Sequence, residues 1–363
     1  MRTAFILIQI KNGLRTILGP YLPFIRSIRT RTVRLHAEKN ADALQSSGRV
    51  SVCYLTSQFP DRPAFRTEVA YGGAVKLPYL AESFPHSFPQ ASLLYTVSSI
   101  NHVAKTAIVR KARDHGIKII LNQNGVAFRP WHGRGWEESN NRLREVFKLA
   151  DYIIYQSKFC QQSASKFLGS STAPSQIIYN PVDTDLYQPS SRNIKHPGPV
   201  LLLGGNQYEK YRFECAIQVL QQTIALFPEA RLIITGSLWG EDQKFSMEIA
   251  QKYLQKYGLQ TRVEFTGSYS QSEALQIFQR ADILIHTKFN DPSPNLIPEA
   301  LASGLPVVYS ASGGVPELVG PDAGIGVPVD QGWEKISTPD PAQMAAAIQK
   351  IWEDLPSFAA AAR

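Results

Sequence analysis

Residues 286–308 read HTKFNDPSPNLIPEALASGLPVV, and this stretch decides the fold. It starts at the end of an apolar run, Ile283–His286, which is typical of a buried strand, and passes through a turn-rich loop into a short helix. Asn295 is predicted to cap that helix, Pro298 suits its first turn, and Gly304 can end it. A strand, a loop, a helix and a second apolar run in this order form the unit of a parallel α/β sheet.

The start of this helix places two carboxylates beside backbone N–H groups. The amides of Asn295, Leu296 and Ile297 are predicted to remain available for an anion such as a pyrophosphate. Asp291 lies just before the helix and Glu299 one turn into it, so both can accept hydrogen bonds from sugar hydroxyls. The same two acids also fit solvated helix-end residues that stabilise the helix dipole, and their spacing alone leaves both interpretations open.

From Val50 onward, short apolar runs alternate with amphipathic stretches, a pattern typical of α/β units around parallel strands. The pattern breaks at PSSRNIKHPGP, residues 189–199, which reads as a linker. We therefore expect two open parallel-sheet domains with a ligand cleft between the carboxyl ends of their strands. The predicted divisions are a leader over 1–48, an N-terminal domain over 49–188, a linker over 189–198 and a second domain over 199–338. A C-terminal helix is expected within 339–363, and it either crosses back to the first domain or is a truncated part of such a helix.

The same alternation predicts the individual elements. The predicted strands cover residues 50–56, 92–97, 117–122, 152–156, 199–203, 231–235, 263–265, 283–286 and 306–309. The predicted helices cover residues 74–82, 104–115, 137–149, 213–227, 244–257, 272–280, 295–303, 315–319 and 342–352.

The net charge of +8 is concentrated in the first 40 residues, which contain eight Lys or Arg and one Glu. The rest of the chain is close to neutral, so no basic groove for nucleic acid is expected. The basic residues alternate with large apolar ones, which predicts a leader that lies on an anionic membrane surface. A poorly ordered extension or an import peptide fits the same composition.

Several functional classes lack their usual sequence devices. The three cysteines are scattered, which favours a reducing, cytoplasmic compartment and gives no zinc site. The apolar runs are too short to span a bilayer. No G-x-S-x-G elbow, Walker A loop, H-E-x-x-H or complete G-x-G-x-x-G occurs, so hydrolase, kinase, metalloprotease and dehydrogenase chemistry is not indicated.

The segment from Asp291 resembles the donor-site signature of family 4 glycosyltransferases (glycosyl transferases group 1), which have the GT-B fold. In that signature two acids stand eight positions apart and are followed by G-x-P-V-[VI]; Asp291 takes the place of the usual first glutamate. The matching positions are Glu299, Ala300, Gly304, Pro306, Val307 and Val308. Further resemblances follow the family's order along the chain, at residues 180–189, 263–267, 281–283 and 312–317.

The resemblance implies a role for each matching residue. Glu299 would bind the ribose of a nucleotide sugar and Asp291 the hydroxyls of the transferred sugar. The amides near Asn295 and Leu296, after Pro294, would hold the diphosphate. The Gly72-Gly73 pair resembles the family's glycine pair, which lets substrate approach the backbone closely; a simple turn is the alternative role of these two glycines.

Two departures from the family pattern bear on catalysis. The family's phosphate-binding arginine is replaced by Gly205, while Lys210 keeps the lysine place and Arg212 is a nearby substitute. The usual histidine of the first domain is replaced by Asn124, which can hydrogen-bond a sugar but carries no charge. The aromatic loop that includes Trp131 and His132 is expected either to form an acceptor platform or to pack locally.

The resemblance implies a retaining, metal-independent glycosyltransferase without a cofactor. It would move a sugar from a nucleoside diphosphate to the hydroxyl of a glycan or lipid-linked acceptor, in polysaccharide, glycolipid or cell-surface glycan synthesis. Gly205 and Asn124 favour the alternative, a catalytically weak or inactive nucleotide-sugar-binding GT-B protein. A sugar-nucleotide epimerase of the same fold is a further alternative, which would need no acceptor.

Overall fold

The structure is a computed structural model that describes residues 22–61, 72–189 and 196–363. The strands of the first domain are β1 Gln45–Ser46, β2 Val52–Leu55, β3 Gln90–Ala91, β4 Leu93–Val97, β5 Lys118–Gln123, β6 Tyr152–Tyr155 and β7 Ser175–Ile177. Its helices are α1 Leu22–Asp42, α2 Lys76–Ser83, α3 Lys105–Asp114, α4 Arg129–His132, α5 Trp136–Leu149 and α6 Lys158–Leu168. Five strands pair in parallel in the order β2-β4-β5-β6-β7, and β1 pairs with β3 beside them.

The second domain repeats this architecture. Its strands are β8 Val200–Leu203, β9 Arg231–Thr235, β10 Val263–Gly267, β11 Ile283–His286, β12 Val307–Ser310 and β13 Gly324–Val327. Its helices are α7 Lys210–Leu226, α8 Gln243–Tyr257, α9 Gln271–Phe278, α10 Leu296–Ala302, α11 Val315–Val319, α12 Pro341–Glu353 and α13 Leu355–Ala362. All six strands are parallel, in the order β10-β9-β8-β11-β12-β13.

Each sheet is covered by helices on both faces, and its strands are correspondingly apolar on both sides. Ile283, Leu284 and Ile285 of β11 alternate between two hydrophobic clusters, one on each face of the second sheet, and all three are fully buried. Buried parallel strands read as continuous hydrophobic runs for this reason. The prediction of an α/β fold with parallel sheets is therefore confirmed.

The helix ends follow local chemistry that is visible in the sequence. Asp242 accepts a hydrogen bond from the amide of Phe245 and begins α8, which ends at Gly258 in the left-handed conformation. Ser270 and Glu273 form a capping box at the start of α9. These caps satisfy N–H and C=O groups that a helix leaves unpaired at its ends, so the chain leaves each helix at a defined residue.

The predicted leader extends too far along the chain. Residues 1–21 lie outside the described part of the structure, but α1 packs against α3, and Ala37, Ala41 and Leu44 are buried in the core of the first domain. The first domain therefore begins before residue 49, because small apolar side chains in α1 complete its core. In the described ranges, no helix is both long and apolar enough to cross a membrane.

The C-terminal helices also differ from expectation. Met344 and Ile348 of α12 belong to the core of the second domain, and α13 lies against α10. Arg363 then donates hydrogen bonds from Nη1 to the carbonyl oxygens of Tyr187 and Ala302, both at 2.9 Å. Among the described residues, the segment 339–363 packs mainly on elements of the second domain, where its apolar faces are covered, and its last residue reaches the backbone of Thr184 and Tyr187 just before the predicted linker. Most of the predicted linker, residues 190–195, lies outside the described residues.

Polar contacts join the two domains on one side of the cleft. Ser157, which begins α6, donates a hydrogen bond of 2.6 Å from Oγ to the carbonyl oxygen of Pro292. The carboxylate of Glu317 accepts hydrogen bonds from the backbone amides of Lys158 and Phe159 at 2.8 and 3.0 Å. A side chain of the second domain therefore caps a helix of the first, which fixes the two domains relative to each other at this edge.

An aromatic contact lies beside these hydrogen bonds. Trp333, in a loop of the second domain, has ring centroids 5.0 to 5.2 Å from Phe128, Phe159 and Phe167 of the first domain. Aromatic pairs at this separation contribute about 0.5–1.5 kcal/mol each beyond the area they bury. Trp333 therefore packs a loop of the second domain against three phenylalanines of the first domain.

Candidate functional site

A cavity of about 900 Å³ lies between the carboxyl ends of the two parallel sheets. The first domain lines it with the start of α3, the segment 124–128 and Gln156, and the second lines it with residues 288 and 290–295 and with Trp333. This is the position at which open α/β sheets bind ligands. The predicted cleft is present, and its second-domain wall is the loop from Asn290 to Asn295.

Close backbone packing sets the conformation of that loop. The amide of Gly314 donates a hydrogen bond of 2.8 Å to the carbonyl oxygen of Asp291, and a Cβ atom on Gly314 would collide with the carbonyl oxygen of Pro292. Gly313 is equally close to the backbone of Asp291 and has a φ of +68°. Only glycine permits both the approach and the dihedral angle. The pair Gly313-Gly314 thus holds Asp291 at the cavity wall.

Asp291 is buried beside two basic side chains. Its Oδ2 atom lies 3.3 Å from Nε2 of His286 and 3.4 Å from Nζ of Lys288. Burial alone would raise the pKa of Asp291, but the charge of Lys288 and the contact with His286 hold that pKa well below its ordinary value. Burial lowers the pKa of His286. Asp291 is therefore an anion at neutral pH, with Lys288 as its counter-charge.

The start of α10 differs in detail from the predicted cap. Asn295 has helical backbone angles and caps nothing with its side chain; its Oδ1 instead accepts a hydrogen bond of 2.7 Å from Asn180 Nδ2. The amide of Ile297 donates to the carbonyl oxygen of Pro294 at 3.2 Å and is not an open donor. The amide of Ile297 therefore drops out of the three amides that were predicted to bind an anion, because the first helical turn begins one residue earlier than the sequence indicated.

Leu296 brings a second loop to the same place. A Cβ atom on Gly204 would lie 2.7 Å from Cδ1 of Leu296, so the loop after β8 packs directly on the start of α10. Gly205 follows with a φ of +77°, and its amide donates to Oγ1 of Thr235 at 2.9 Å. Gly205 therefore allows the left-handed backbone of this turn, and it supplies no positive charge at the position where the family has an arginine.

The two neighbouring cations are already engaged. Arg212 is buried and donates from Nη1 to the carbonyl oxygen of Asn206 at 2.7 Å and from Nη2 to that of Gly204 at 3.4 Å. Lys210 forms an ion pair of 2.8 Å with Glu214 and has a side chain that is 44% exposed. Arg212 thus supports the loop, while Lys210 has to leave a surface ion pair before it can contact a ligand.

Glu299 of α10 is half-buried. Burial raises its pKa from 4.5 to about 7. Burial also raises the pKa of Tyr79 on α2 and of Tyr269, and the charge of Glu299 adds to both increases. The charge of Glu299 thus acts on a tyrosine of each domain, and its own surroundings disfavour the charged form until a hydrogen-bond donor arrives.

The first-domain residues fall into two groups. Asn124 is buried on the cavity wall, where its amide donates to Ser98 Oγ at 2.9 Å, and Trp131 and His132 line the same cavity. Gly72 and Gly73 instead form a 3-10 turn, Gly72–Val75, that leads into α2. Among the described residues the cavity lining includes Asp291, Asn295, Pro294 and Asn124 but not Glu299, Leu296, Gly205, Lys210, Arg212, Gly72 or Gly73.

Several cavity residues were not found by sequence reasoning. Asn290 precedes Asp291 with a φ of 51°, which is rare outside glycine. Gln156 directly follows β6, and its place at the end of a predicted parallel strand is a signal that could have found it. Lys105 is held by the carbonyl oxygens of three residues at the end of β4, and burial lowers its pKa to about 7. No local pattern distinguishes it from a surface lysine at a helix start.

The fold and the interdomain cleft define a protein of the GT-B type. Residues 188–361, which comprise the second domain, match the family described as glycosyl transferases group 1. The family expected from the Asp291–Val308 segment is thereby confirmed.

Similar proteins of known name support the assignment. The gpi3 subunit of phosphatidylinositol N-acetylglucosaminyltransferase from Schizosaccharomyces pombe is 23% identical over 221 residues, which are 61% of this chain and 46% of that protein. D-inositol 3-phosphate glycosyltransferase from Mycobacterium leprae is 27% identical over 182 residues, 48% of this chain and 42% of that protein. The chain thus spans less than half of the length of these relatives.

Solved structures share the fold at low identity. Anabaena Alr3699/HepE in complex with UDP has a TM-score of 0.59 and 19% identity, over 80% of this chain and 75% of that one. Sucrose-phosphate synthase from Thermosynechococcus elongatus has a TM-score of 0.61 and 16% identity, over 93% and 86% of the two chains. These likenesses establish the architecture and leave the substrates to be determined by experiment.

Proposed function

We propose that this protein transfers a sugar, with retention of configuration, from a nucleoside diphosphate sugar to an acceptor hydroxyl. The observation that carries the proposal is Asp291, buried at the wall of an interdomain cavity beside Lys288 and followed along the chain by α10 with Glu299 in its first turn. A buried anion held without an opposing acid suits the recognition of sugar hydroxyls, which donate hydrogen bonds to carboxylates.

The donor would lie across the start of α10. Glu299 would accept hydrogen bonds from the ribose hydroxyls and Asp291 from the transferred sugar. The amide of Leu296 and the packed Gly204-Gly205 loop would face the diphosphate, since the N-terminal end of a helix favours an anion. UDP is the first nucleotide to test, because the Anabaena protein of the same fold binds UDP and UDP-glucose.

The chemistry would need no protein nucleophile. In a front-face substitution the bond from the anomeric carbon to the diphosphate breaks, the acceptor oxygen bonds to the same face, and the leaving diphosphate accepts the acceptor's proton. The protein would contribute positioning and charge stabilisation. Lys210 is the cation free to reorient toward the leaving group, since Arg212 is committed to the carbonyl oxygens of Gly204 and Asn206.

The proposed reaction requires neither a metal nor a cofactor. The acceptor would be a glycan or a lipid-linked molecule that enters from the first-domain side of the cavity, in the cytoplasm. Residues 1–40 would contact an anionic membrane surface. A deletion that tests this contact has to stop at residue 21, because α1 contributes Ala37 and Ala41 to the core. Loss of binding to phosphatidylserine vesicles with an unchanged melting temperature is the expected result.

A donor panel tests the main proposal. The purified protein is incubated with UDP-, GDP- and ADP-sugars, alone and with polyol and glycolipid acceptors, and products are followed by mass spectrometry and NMR. Asp291→Asn should lower turnover at least tenfold with little change in nucleotide affinity, whereas Glu299→Ala should weaken nucleotide binding. Wild-type behaviour of both variants would remove these two residues from the donor site.

A nucleotide-sugar-binding protein with little or no turnover is the second candidate. It is favoured by Gly205, which carries no charge where the family has an arginine, and by the engaged state of Arg212. The same panel separates the two candidates. Donor binding without hydrolysis or transfer supports a binding protein, and a glycosylated acceptor supports an enzyme.

A further inference from the structure

Three buried side-chain amides on the wall of the cavity each carry a polar atom without a hydrogen-bond partner. These atoms are Asn124 Oδ1, Gln156 Nε2 and Asn290 Oδ1, and they remain unpaired among the described residues. The three residues are only 9%, 2% and 3% exposed. Buried polar groups are normally paired, so three unpaired ones in a single cavity indicate that a ligand supplies the partners.

The protein fixes the other end of two of these amides, those of Asn124 and Asn290. Asn124 donates from Nδ2 to Ser99 Oγ at 2.8 Å, and Asn290 donates from Nδ2 to the carbonyl oxygen of Gly332 at 2.9 Å. Each unpaired oxygen is therefore held in place by the opposite end of its own amide. The acceptors are preorganised on the cavity wall, which reduces the side-chain entropy that the protein would lose when a ligand binds.

Gln156 is attached to the same loop as Asp291. Its carbonyl oxygen accepts a hydrogen bond of 3.4 Å from Ser293 Oγ, and the neighbouring Ser157 donates to the carbonyl oxygen of Pro292 at 2.6 Å. The backbone around Gln156, in the first domain, is thus hydrogen-bonded to the loop of the second domain that carries Asp291. Both side chains line one cavity, and a group bound by Asp291 is within the same space as the Gln156 amide.

The mixture of donors and acceptors identifies the chemical class of the ligand. Gln156 Nε2 needs an acceptor and the Oδ1 atoms of Asn124 and Asn290 need donors, while the carboxylate of Asp291 can accept hydrogen bonds in addition to its contacts with His286 and Lys288. An anion would pair only with the first and a cation only with the others. Hydroxyl groups can both donate and accept, so a ring with several hydroxyls satisfies all four.

We propose that Gln156, with Asn124 and Asn290, forms a subsite for the hydroxyl groups of the transferred sugar and contributes to its selection. The inference rests on the proposed function, since it takes the sugar from a nucleoside diphosphate. In this arrangement Gln156 donates from Nε2 to a sugar hydroxyl that also faces Asp291. The sugar is then held by Gln156 of the first domain and Asp291 of the second. Both side chains line the cavity because the two domains are joined at the Ser157–Pro292 contact.

The test compares a nucleotide with its sugar conjugate. Isothermal titration measures the affinity of UDP and of UDP-glucose, or of the pair that the donor panel selects, for the wild type and for Gln156→Met. The variant keeps the length and loses the donor. It should weaken UDP-glucose binding about three- to tenfold and leave UDP binding unchanged, the size expected for one hydrogen bond. Gln161→Met, on the exposed surface of α6, is the matched control and should change neither.

Retained UDP binding shows that the variant is folded; if Gln156→Met fails this check, Gln156→Asn, which withdraws the amide by one methylene, replaces it. A series of deoxyglucose conjugates of UDP provides a second readout. One analogue should bind wild type and variant equally, because it lacks the hydroxyl that Gln156 contacts. Equal losses for UDP and UDP-glucose, or no loss for either, would overturn the subsite. A wild-type protein that binds no nucleotide sugar at all would refute the proposed function and the subsite with it.

Discussion

The indole ring of Trp333 stacks on the ring of Phe159, with centroids 5.2 Å apart and planes inclined by 21°. The two residues belong to different domains. Their contact lies beside the hydrogen bonds that Glu317 accepts from the start of α6. An aromatic pair and a charged helix cap thus join the domains at the edge of the cavity, and each can be removed separately.

Removal of the indole should loosen the two domains. Trp333→Ala is expected to lower the free energy of unfolding by about 1–3 kcal/mol, less than a fully buried tryptophan because Trp333 is half-buried. Small-angle scattering should show a larger radius of gyration. The control is Trp136→Ala, since Trp136 packs on Phe167 within the first domain. An unchanged radius of gyration for Trp333→Ala would contradict the role of this contact.

The helix cap between the domains can be tested by a similar comparison. Glu317→Ala leaves the amides of Lys158 and Phe159 without their acceptor and should cost about 1–2 kcal/mol in urea unfolding. Glu273→Ala removes a capping box of α9 that lies entirely in the second domain. Both variants should lose stability, but only Glu317→Ala should increase the protease sensitivity of the interdomain region. Equal sensitivity in the two variants would show that the cap does not join the domains.

The two domains also approach each other closely at a glycine of the first domain, Gly125. A Cβ atom on Gly125 would lie 2.8 Å from Cγ of Pro292, so Gly125→Ala should push the Asp291 loop away from the first domain. We expect a loss of about 1–3 kcal/mol in stability and at least tenfold weaker turnover. Gly48→Ala, where nothing lies within 4 Å, is the control. The double variant Gly125→Ala/Pro292→Ala should recover part of the loss, because the proline Cγ is gone.

The pKa of Glu299 predicts a pH dependence of stability. Between pH 4.5 and about pH 7 the folded protein binds a proton on Glu299 that the unfolded chain has released. Stability should therefore fall as pH rises through this window, by about 1–3 kcal/mol in total. Glu299→Gln should lack this part of the dependence and be more stable than wild type at pH 8. Parallel stability curves for the two proteins would contradict the assignment, and the exposed Glu248→Gln is the control.

Nucleotide binding should have the opposite dependence on pH. Ribose hydroxyls donate hydrogen bonds to a carboxylate and favour its charged form, which lowers the pKa of Glu299 in the complex. The affinity for UDP, or for the nucleotide that the panel selects, should therefore increase from pH 6 to pH 8. Titration calorimetry at pH 6, 7 and 8 measures this increase. Loss of the increase in Glu299→Gln is the expected result, and its persistence would place the titrating group elsewhere.

Much of the fold follows from the sequence because buried parallel strands leave a plain signal. The nine predicted strands are all present, and β9 and β11 have the predicted ends. Among the described residues, four strands were missed, namely β1, β3, β7 and β13. Of these, β13 reads GIGV and has little apolar character. Gly324 is required there because a Cβ atom would collide with the carbonyl oxygen of Val307. The strand conformation of this segment is determined by its pairing with β12, and no pattern within the segment itself predicts that pairing.

The site was predictable only in part for a related reason. Asp291 and Asn124 lie at the ends of recognisable elements and do line the cavity. His286 and Lys288, which contact Asp291, are its near neighbours in the sequence. Their distances from its carboxylate depend on the loop conformation that packing against Gly313 and Gly314 imposes. Arg212 was expected to meet phosphate and instead binds carbonyl oxygens. The sequence identifies the residue types, while tertiary packing decides which of their hydrogen bonds are already taken.

The loop from Asp291 to Pro294 is a wall of the cavity and also a surface on which the domains meet. Ser157 and Gly125 touch it from one side, and the cavity lies on the other. Free energy that a ligand contributes by binding this loop is therefore also free energy that resists separation of the domains. Ligand occupancy of the cavity and resistance of the domains to separation therefore depend on the same equilibrium. A melting curve taken with increasing nucleotide sugar would report domain closure, and a protease digestion would report affinity.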